Sequence, residues 1–206
     1  MKHMEIECKW DANSPRAFQR ARKALTHLCG PLTPRVLHIR DTYLDDAKQS
    51  LAKQLIALRL RNTDGKWEAT FKTRTQIKNG KAVRREETLA LPNVKNFSQA
   101  LLALTQKKNW QGLNTAALTP RFILANKRSV YEFNYQGARL EMALDKVTIY
   151  ILGRQVHLQE IELELKRGNS NALDQFAQQF CAQTKLAHAK ISKVKTAELL
   201  CKLWKK

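Results

Sequence analysis

The sequence predicts an α+β fold in which eight antiparallel strands carry charged faces and helices flank the sheet. Two observations predict it. Apolar and charged residues alternate with period two in one segment after another, as in Leu58-Arg59-Leu60-Arg61 and Glu160-Ile161-Glu162-Leu163-Glu164, the pattern of strands whose two faces meet different surroundings. Turn-forming residues separate those segments at Asp64-Gly65, Asn79-Gly80, Gly137 and Gly153, which joins neighbours as hairpins.

Residues 5–9 form a short strand with Glu5, Glu7 and Lys9 on one face. A helix starts at Ser14-Pro15, a capping residue followed by a proline in first position, carries the stripe Phe18, Ala21, Leu25 and Leu28, and closes at Gly30. Strands over 36–43 and 55–61 lead into the turn at 62–65, then a strand over 66–73. Asn79-Gly80 turns the chain into a fifth strand over 82–91, which Pro92 ends. Ser98 caps a helix carrying Leu101, Leu102 and Leu104, and residues 107–120 are irregular. Strands over 123–133, 139–149 and 157–166 follow, and amphipathic helices over 171–184 and 193–204 close the chain, the second strongly basic. No stretch has the composition of a linker, so residues 1–206 read as one domain.

Composition narrows the function classes. The 37 Lys+Arg against 18 Asp+Glu give a formal net charge of +19, which points to an anionic partner: nucleic acid, a phosphate-rich small molecule or an anionic membrane surface. Hydrophobic content of 43% with only 7 Gly and 5 Pro excludes a mainly disordered chain. No window approaches the roughly 20 apolar residues of a membrane span, and the start at Met1 lacks the apolar run of a signal peptide. A soluble, cytoplasmic protein without a membrane partner is expected. The four cysteines and five histidines stand apart in the sequence, which argues against zinc and against histidine-based catalysis, and the thiols are expected to be buried and reduced.

The charges on the strands are the most informative feature. Arg59 and Arg61 oppose Leu58 and Leu60, Glu141 and Asp145 oppose Leu140, Met142 and Leu144, and Glu160, Glu162 and Glu164 oppose Ile161, Leu163 and Leu165. Such alternation fits a sheet with one solvated face. It also fits eight strands closed into a barrel with the charges inside, a space that holds one small ligand. A cationic wall then suits phosphate oxygens, and a carboxylate wall suits a hard divalent cation bridging to them.

Specific motifs go further. In chain order the sequence carries Glu5-Ile6-Glu7-Cys8-Lys9, Asp41-Thr42-Tyr43-Leu44-Asp45, Leu58-Arg59-Leu60-Arg61, Thr70-Phe71-Lys72-Thr73, Val83-Arg84-Arg85-Glu86, Lys127-Arg128, Leu140 to Asp145, Gln159 to Glu164, and Ile191-Ser192-Lys193. On these motifs it resembles the CYTH domain, or triphosphate tunnel metalloenzyme, superfamily, from its E-x-E-x-K start to its serine-lysine motif before the last helix. Within that superfamily it is similar to the bacterial inorganic triphosphatases, without their C-terminal helical domain with paired histidines.

The resemblance implies a closed eight-stranded antiparallel barrel whose tunnel hydrolyses a triphosphate, inorganic triphosphate to diphosphate and phosphate being the expected reaction. It implies that Lys9, Arg59, Arg61, Lys72, Arg84, Arg128 and Lys193 grip phosphates. Glu5, Glu7, Glu160, Glu162 and Asp145 are implied as ligands of Mg²⁺ or Mn²⁺, and Lys9, Glu86 and Glu141 as catalytic. Of the doubled pairs Arg84/Arg85 and Glu86/Glu87, the first of each is taken as inward. Thiamine triphosphatase and class IV adenylyl cyclase activities on a thiamine or nucleoside triphosphate are alternatives within the fold. A different class is a non-enzymatic binder of polyphosphate or nucleic acid, acting through Lys190, Lys193, Lys195, Lys202, Lys205 and Lys206. The chain is expected to be a monomer or homodimer.

Overall fold

The computed structural model describes residues 2–78, 81–107 and 117–204. Nine strands form one antiparallel sheet: β1 (Lys2–Asp11), β2 (Arg35–Asp45), β3 (Ala57–Thr63), β4 (Lys66–Lys72), β5 (Gln76–Lys78), β6 (Lys81–Leu91), β7 (Thr119–Tyr135), β8 (Ala138–Ile151) and β9 (Arg154–Arg167), in the spatial order β1-β9-β8-β7-β2-β3-β4-β6-β5. β1 pairs with β6 as well, Glu5 opposite Arg84, so eight strands close into the expected barrel and β5 attaches to β6 outside the ring. Asp64-Gly65, Gln136-Gly137 and Leu152-Gly153 have positive φ at both positions, the turn whose twist matches the strands it joins.

Three helices cover the apolar outside. α1 (Ala17–Cys29) and α4 (Ser170–Thr184) pack on Trp10, Leu140, Met142, Leu144, Ile161 and Leu163 through Ala21, Leu25, Leu173, Phe176 and Phe180. Each large side chain fully buried there contributes about 1.5–3 kcal/mol relative to exposure. α3 (Phe97–Thr105) sets Ala100 and Leu104 on Leu58, Leu60 and Ala69.

The last helix, α5 (Lys193–Leu203), departs from that arrangement. It packs Ala197 and Cys201 against Tyr43, Phe122, Leu124, Val147, Ile149 and Ile151. On uninterrupted strands those β7 and β8 residues share the phase of Arg128 and Asp145, so they face the lumen. One end of the barrel interior is therefore apolar and filled by α5, while α1, α3 and α4 clothe the exterior. Periodicity alone cannot separate these cases, because an amphipathic stripe buries equally well against either side of a sheet.

Smaller differences have local causes. The strand expected from residue 55 begins at Ala57, because Leu55 takes φ 58 as the chain leaves a four-residue helix, α2 (Ser50–Lys53). α2 is held by a distant cap, since the Asp45 carboxylate accepts from the backbone N–H of Leu51 at 3.0 Å and of Ala52 at 3.1 Å. Ser14-Pro15 forms the turn before α1, with Ala17 N–H bonded to Ser14 C=O at 3.0 Å. Asn96 rather than Ser98 caps α3, accepting from Gln99 N–H at 3.0 Å. The Asn79-Gly80 turn and residues 108–116 of the expected irregular segment lie outside the described residues.

Candidate active site in the barrel lumen

Beside the first turns of α5 the lumen opens into a largely charged cavity of about 510 Å³, to which Lys193 and Glu198 of that helix contribute. Strand alternation puts Glu5, Glu7 and Lys9 of β1, Arg59 and Arg61 of β3, Lys72 of β4, Arg84 and Glu86 of β6, Arg128 of β7, Glu141 of β8 and Glu162 of β9 on its wall. Asp145 and Glu160 share the phases of Glu141 and Glu162 and are buried beside them. Arg85 and Lys127 are exposed, so the neighbouring Arg84 and Arg128 are the inward members of each pair. So many buried charges are tolerated only because each is partnered.

On the β3–β4–β6 side, Asp41 organises the arginines. Arg61 grips it with two bonds of 2.7 and 2.8 Å, while Arg59 reaches it through a single contact of 3.3 Å. The Arg59 Nε is buried with no hydrogen-bond partner. Burial pushes the Asp41 carboxyl up, but Arg59 and Arg61 outweigh it and hold it well below the ordinary carboxylate range. Glu5 accepts from Lys72 at 3.0 Å and from Arg84, and Arg84 also bonds Glu7 at 3.0 Å. Burial likewise opposes ionisation of Glu5, and Lys72 with Arg84 keeps it ionised. Glu86 pairs with Lys72, and Lys72 with Arg59 holds its carboxyl low against the effect of burial.

On the β8–β9 side the carboxylates form the cluster. Oxygens of Asp145, Glu160 and Glu162 all lie within 4.8 Å of one another, and all three residues are buried. Lys193, the first residue of α5, reaches them with bonds of 2.7, 2.9 and 2.7 Å. Arg128 takes Asp145 with two bonds of 2.7 and 2.6 Å and also contacts Glu162, and Lys9 lies 2.5 Å from Glu162 and 3.1 Å from Glu7. Burial raises the Glu160 carboxyl, more than Lys193 and Lys9 lower it. For Glu162 the balance reverses: burial opposes its charge, but Lys193, Lys9 and Arg128 hold it well below the ordinary range. A divalent metal suits this donor set, which offers only carboxylate oxygens, converging from two adjacent strands. Asp145, Glu160 and Glu162 would hold it; Glu5 and Glu7 lie outside that trio, tied to Lys72, Arg84 and Lys9.

The structure thus brings to one lumen, on its wall or buried beside it, the residues implied as phosphate, metal and catalytic groups. Glu141 is half-buried on its wall, opposite Glu164. Asp41 is the residue that sequence reasoning misses, although it stands in phase with Tyr43 inside one of the motifs. Lys190, Lys195 and Lys202 of the basic C-terminal segment are exposed, Lys193 is inside the barrel, and Lys205 and Lys206 lie outside the described residues.

Residues 3–197 match the family model of the CYTH domain. The chain belongs to that family. It is similar to an inorganic triphosphatase of Haemophilus influenzae, 28% identical over 164 residues that make up 80% of this chain and 46% of the relative. The chain thus spans about half the length of that curated relative. Among solved structures it is similar to HpAC1 of Hippeastrum, an adenylyl cyclase candidate described as revealing a dominant triphosphatase activity, with TM-score 0.67, 21% identity and 95% of each chain covered. It is also similar to an adenylate cyclase candidate of Bacillus halodurans, with TM-score 0.62, 20% identity and coverage of 95% of this CYTH chain and 97% of the other. Likenesses at that identity establish the fold. Among the described residues no helix is long and apolar enough to cross a membrane.

Proposed function

We propose that the lumen hydrolyses the terminal phosphoanhydride bond of a triphosphate, with inorganic triphosphate as substrate and Mg²⁺ or Mn²⁺ held by Asp145, Glu160 and Glu162. The observation that carries this reading is that cationic side chains, Arg59 and Arg61 among them, and Glu162 line one cavity of about 510 Å³, with Asp145 and Glu160 buried against Glu162. Family membership and the name of the Haemophilus relative support the same reading.

Arg59 lines the cavity with one contact to Asp41, at 3.3 Å, and Asp41 fixes the plane of Arg61 beside it. Lys72, Arg84 and Lys9 add positive charge around the remaining phosphate oxygens once their carboxylate partners share them. A divalent cation held by Asp145, Glu160 and Glu162 would supply neutralisation of the phosphate charge. Transfer to water then needs positioning more than covalent chemistry. As the water oxygen bonds to the terminal phosphorus, the bridging P–O bond breaks, diphosphate leaves, and the water proton passes to a carboxylate. Glu86, held ionised by Lys72 and Arg59, is a poor base and serves to position Lys72. Glu141, half-buried on the lumen wall, is the better placed proton acceptor.

Phosphate release from inorganic triphosphate, ATP and thiamine triphosphate, measured in parallel with Mg²⁺, Mn²⁺ and EDTA, tests this. The expected result is metal-dependent release, fastest from inorganic triphosphate and lost in Glu162→Gln. Faster turnover of another substrate would reassign the substrate. Release from none of them, or release indifferent to both EDTA and Glu162→Gln, would overturn the reading.

A further inference from the structure

The three carboxylates suited to a divalent cation already share a cation of the chain's own. Lys193 Nζ lies 2.7 Å from Asp145 Oδ2, 2.9 Å from Glu160 Oε2 and 2.7 Å from Glu162 Oε1. An ammonium has three N–H donors and no acceptor, so three carboxylates saturate it and leave nothing for a phosphate oxygen. The side chain is 9% exposed, and its position is that of an ion in a site rather than of a phosphate ligand at a wall.

The other cations of the cluster are anchored differently. Lys9 and Arg128 stand in β1 and β7, whose ladders run on both sides. Lys193 stands at the first turn of α5, which meets the barrel through side chains and follows a segment bonded to β1 at Ala187 and Ala189, where Asp11 N–H reaches Ala187 C=O at 3.2 Å and Ala189 N–H reaches Lys9 C=O at 2.9 Å, four residues before Lys193. Its ammonium can therefore withdraw without breaking a strand pairing. An ammonium and a divalent cation seeking the same oxygens also repel each other at this range.

Resting on the metal reading above, we propose that Lys193 is the resident cation of the Asp145–Glu160–Glu162 site, occupying it in turn with the divalent metal. Metal enters as the first turn of α5 draws Nζ out, and the freed ammonium becomes available to a phosphate oxygen. The tunnel is thereby held neutral and closed to anions at this end until metal arrives.

The test is Mn²⁺ binding without substrate, followed by the electron paramagnetic resonance of free Mn²⁺, in the full chain and in Lys193→Met and Glu162→Gln. A competitor that fills the site more than nine-tenths of the time weakens apparent affinity about tenfold or more, so Lys193→Met is expected to bind Mn²⁺ at least that much more tightly. Equal affinity of the parent and Lys193→Met, with Glu162→Gln still losing the ion, overturns the competition and leaves the metal site standing. Binding in neither, or binding that Glu162→Gln leaves unchanged, overturns the metal site itself. Because Lys193→Met leaves carboxylates uncompensated and could fold poorly, hydrogen exchange on the unmutated chain supplies a second readout. Mn²⁺ is expected to speed exchange in the first turn of α5 while the barrel strands stay protected. Unchanged or slower exchange in that turn overturns the proposal.

Discussion

In the half of the lumen formed by β3, β4 and β6, the ion pairs among the described residues join side chains borne by strands, as in Asp41 with Arg61 or Glu5 with Lys72 and Arg84. In the half formed by β8 and β9, the carboxylates are again on strands, but Lys193 reaches them from a helix. Burial demands a counter-charge in both places. The first half meets that demand with a framework of strand-borne pairs, the arrangement that the proposed anion site requires. The second meets it with strand-borne Lys9 and Arg128 and with one more cation, Lys193, carried on a helix that has no place in the sheet ladder. On the proposals above, one half binds and the other exchanges.

The strongest way to break this comparison is to remove a group the second half cannot replace. Glu162 contacts Lys9, Arg128 and Lys193 together, so Glu162→Gln is expected to lower kcat by on the order of 10²–10³-fold and to abolish the response to Mn²⁺, both read from phosphate release. Near-normal turnover would mean that the acidic half is structural only.

Within the rigid half the two arginines should differ. Arg59→Ala removes a buried guanidinium that Asp41 holds by one contact and is expected to cost about 10²-fold in kcat/KM. Arg61→Ala removes one that gives two of its N–H donors to Asp41, and a loss several-fold smaller is expected. Equal losses would show that Arg61 leaves Asp41 to bind substrate.

Asp41→Asn addresses the framework itself. Because the folded carboxyl sits below its unfolded value, the unfolded chain takes the proton first as pH falls. Asp41 therefore contributes its full stability above about pH 4, on the order of 2 kcal/mol for a paired buried aspartate, and loses it at lower pH. Denaturant melts should show Asp41→Asn less stable at pH 7, with the gap closing toward pH 2; a gap constant with pH would deny the ion pair its role.

The smallest effect concerns two cysteines. Cys8 on β1 and Cys201 on α5 are 3% and 4% exposed, and burial pushes the Cys8 thiol up to about 12, so neither should react readily at pH 8 while the structure stays closed. If α5 loosens on metal entry, Mn²⁺ should speed thiol labelling of Cys201 a few-fold and leave Cys8 unchanged, as mass spectrometry of labelled peptides would show.

Much of the barrel and its site is legible in the amino-acid sequence. Arg59, Lys72, Glu162 and their companions can be sorted by face because a strand alternates with period two, whereas the doubled Arg84/Arg85 leaves the phase open and only the exposure of Arg85 decides it. Asp41 escapes such reasoning because its partners stand in β3, and β2–β3 pairing is not written in either segment. α2 escapes it because a four-residue helix has no period of its own, and its cap comes from Asp45 at the end of β2.

The sequence by itself determined the strands, the hairpin turns with glycine at positive φ, and which residues carry charge on which face, since each follows from local sterics and spacing. Only the tertiary structure decided that the charged face turns inward, through the closing pairing of β1 with β6, and that α5 enters the lumen instead of covering the outside. Those are choices among partners far apart in the chain, set by which apolar surfaces are left to bury once the barrel closes, and no local pattern contains them.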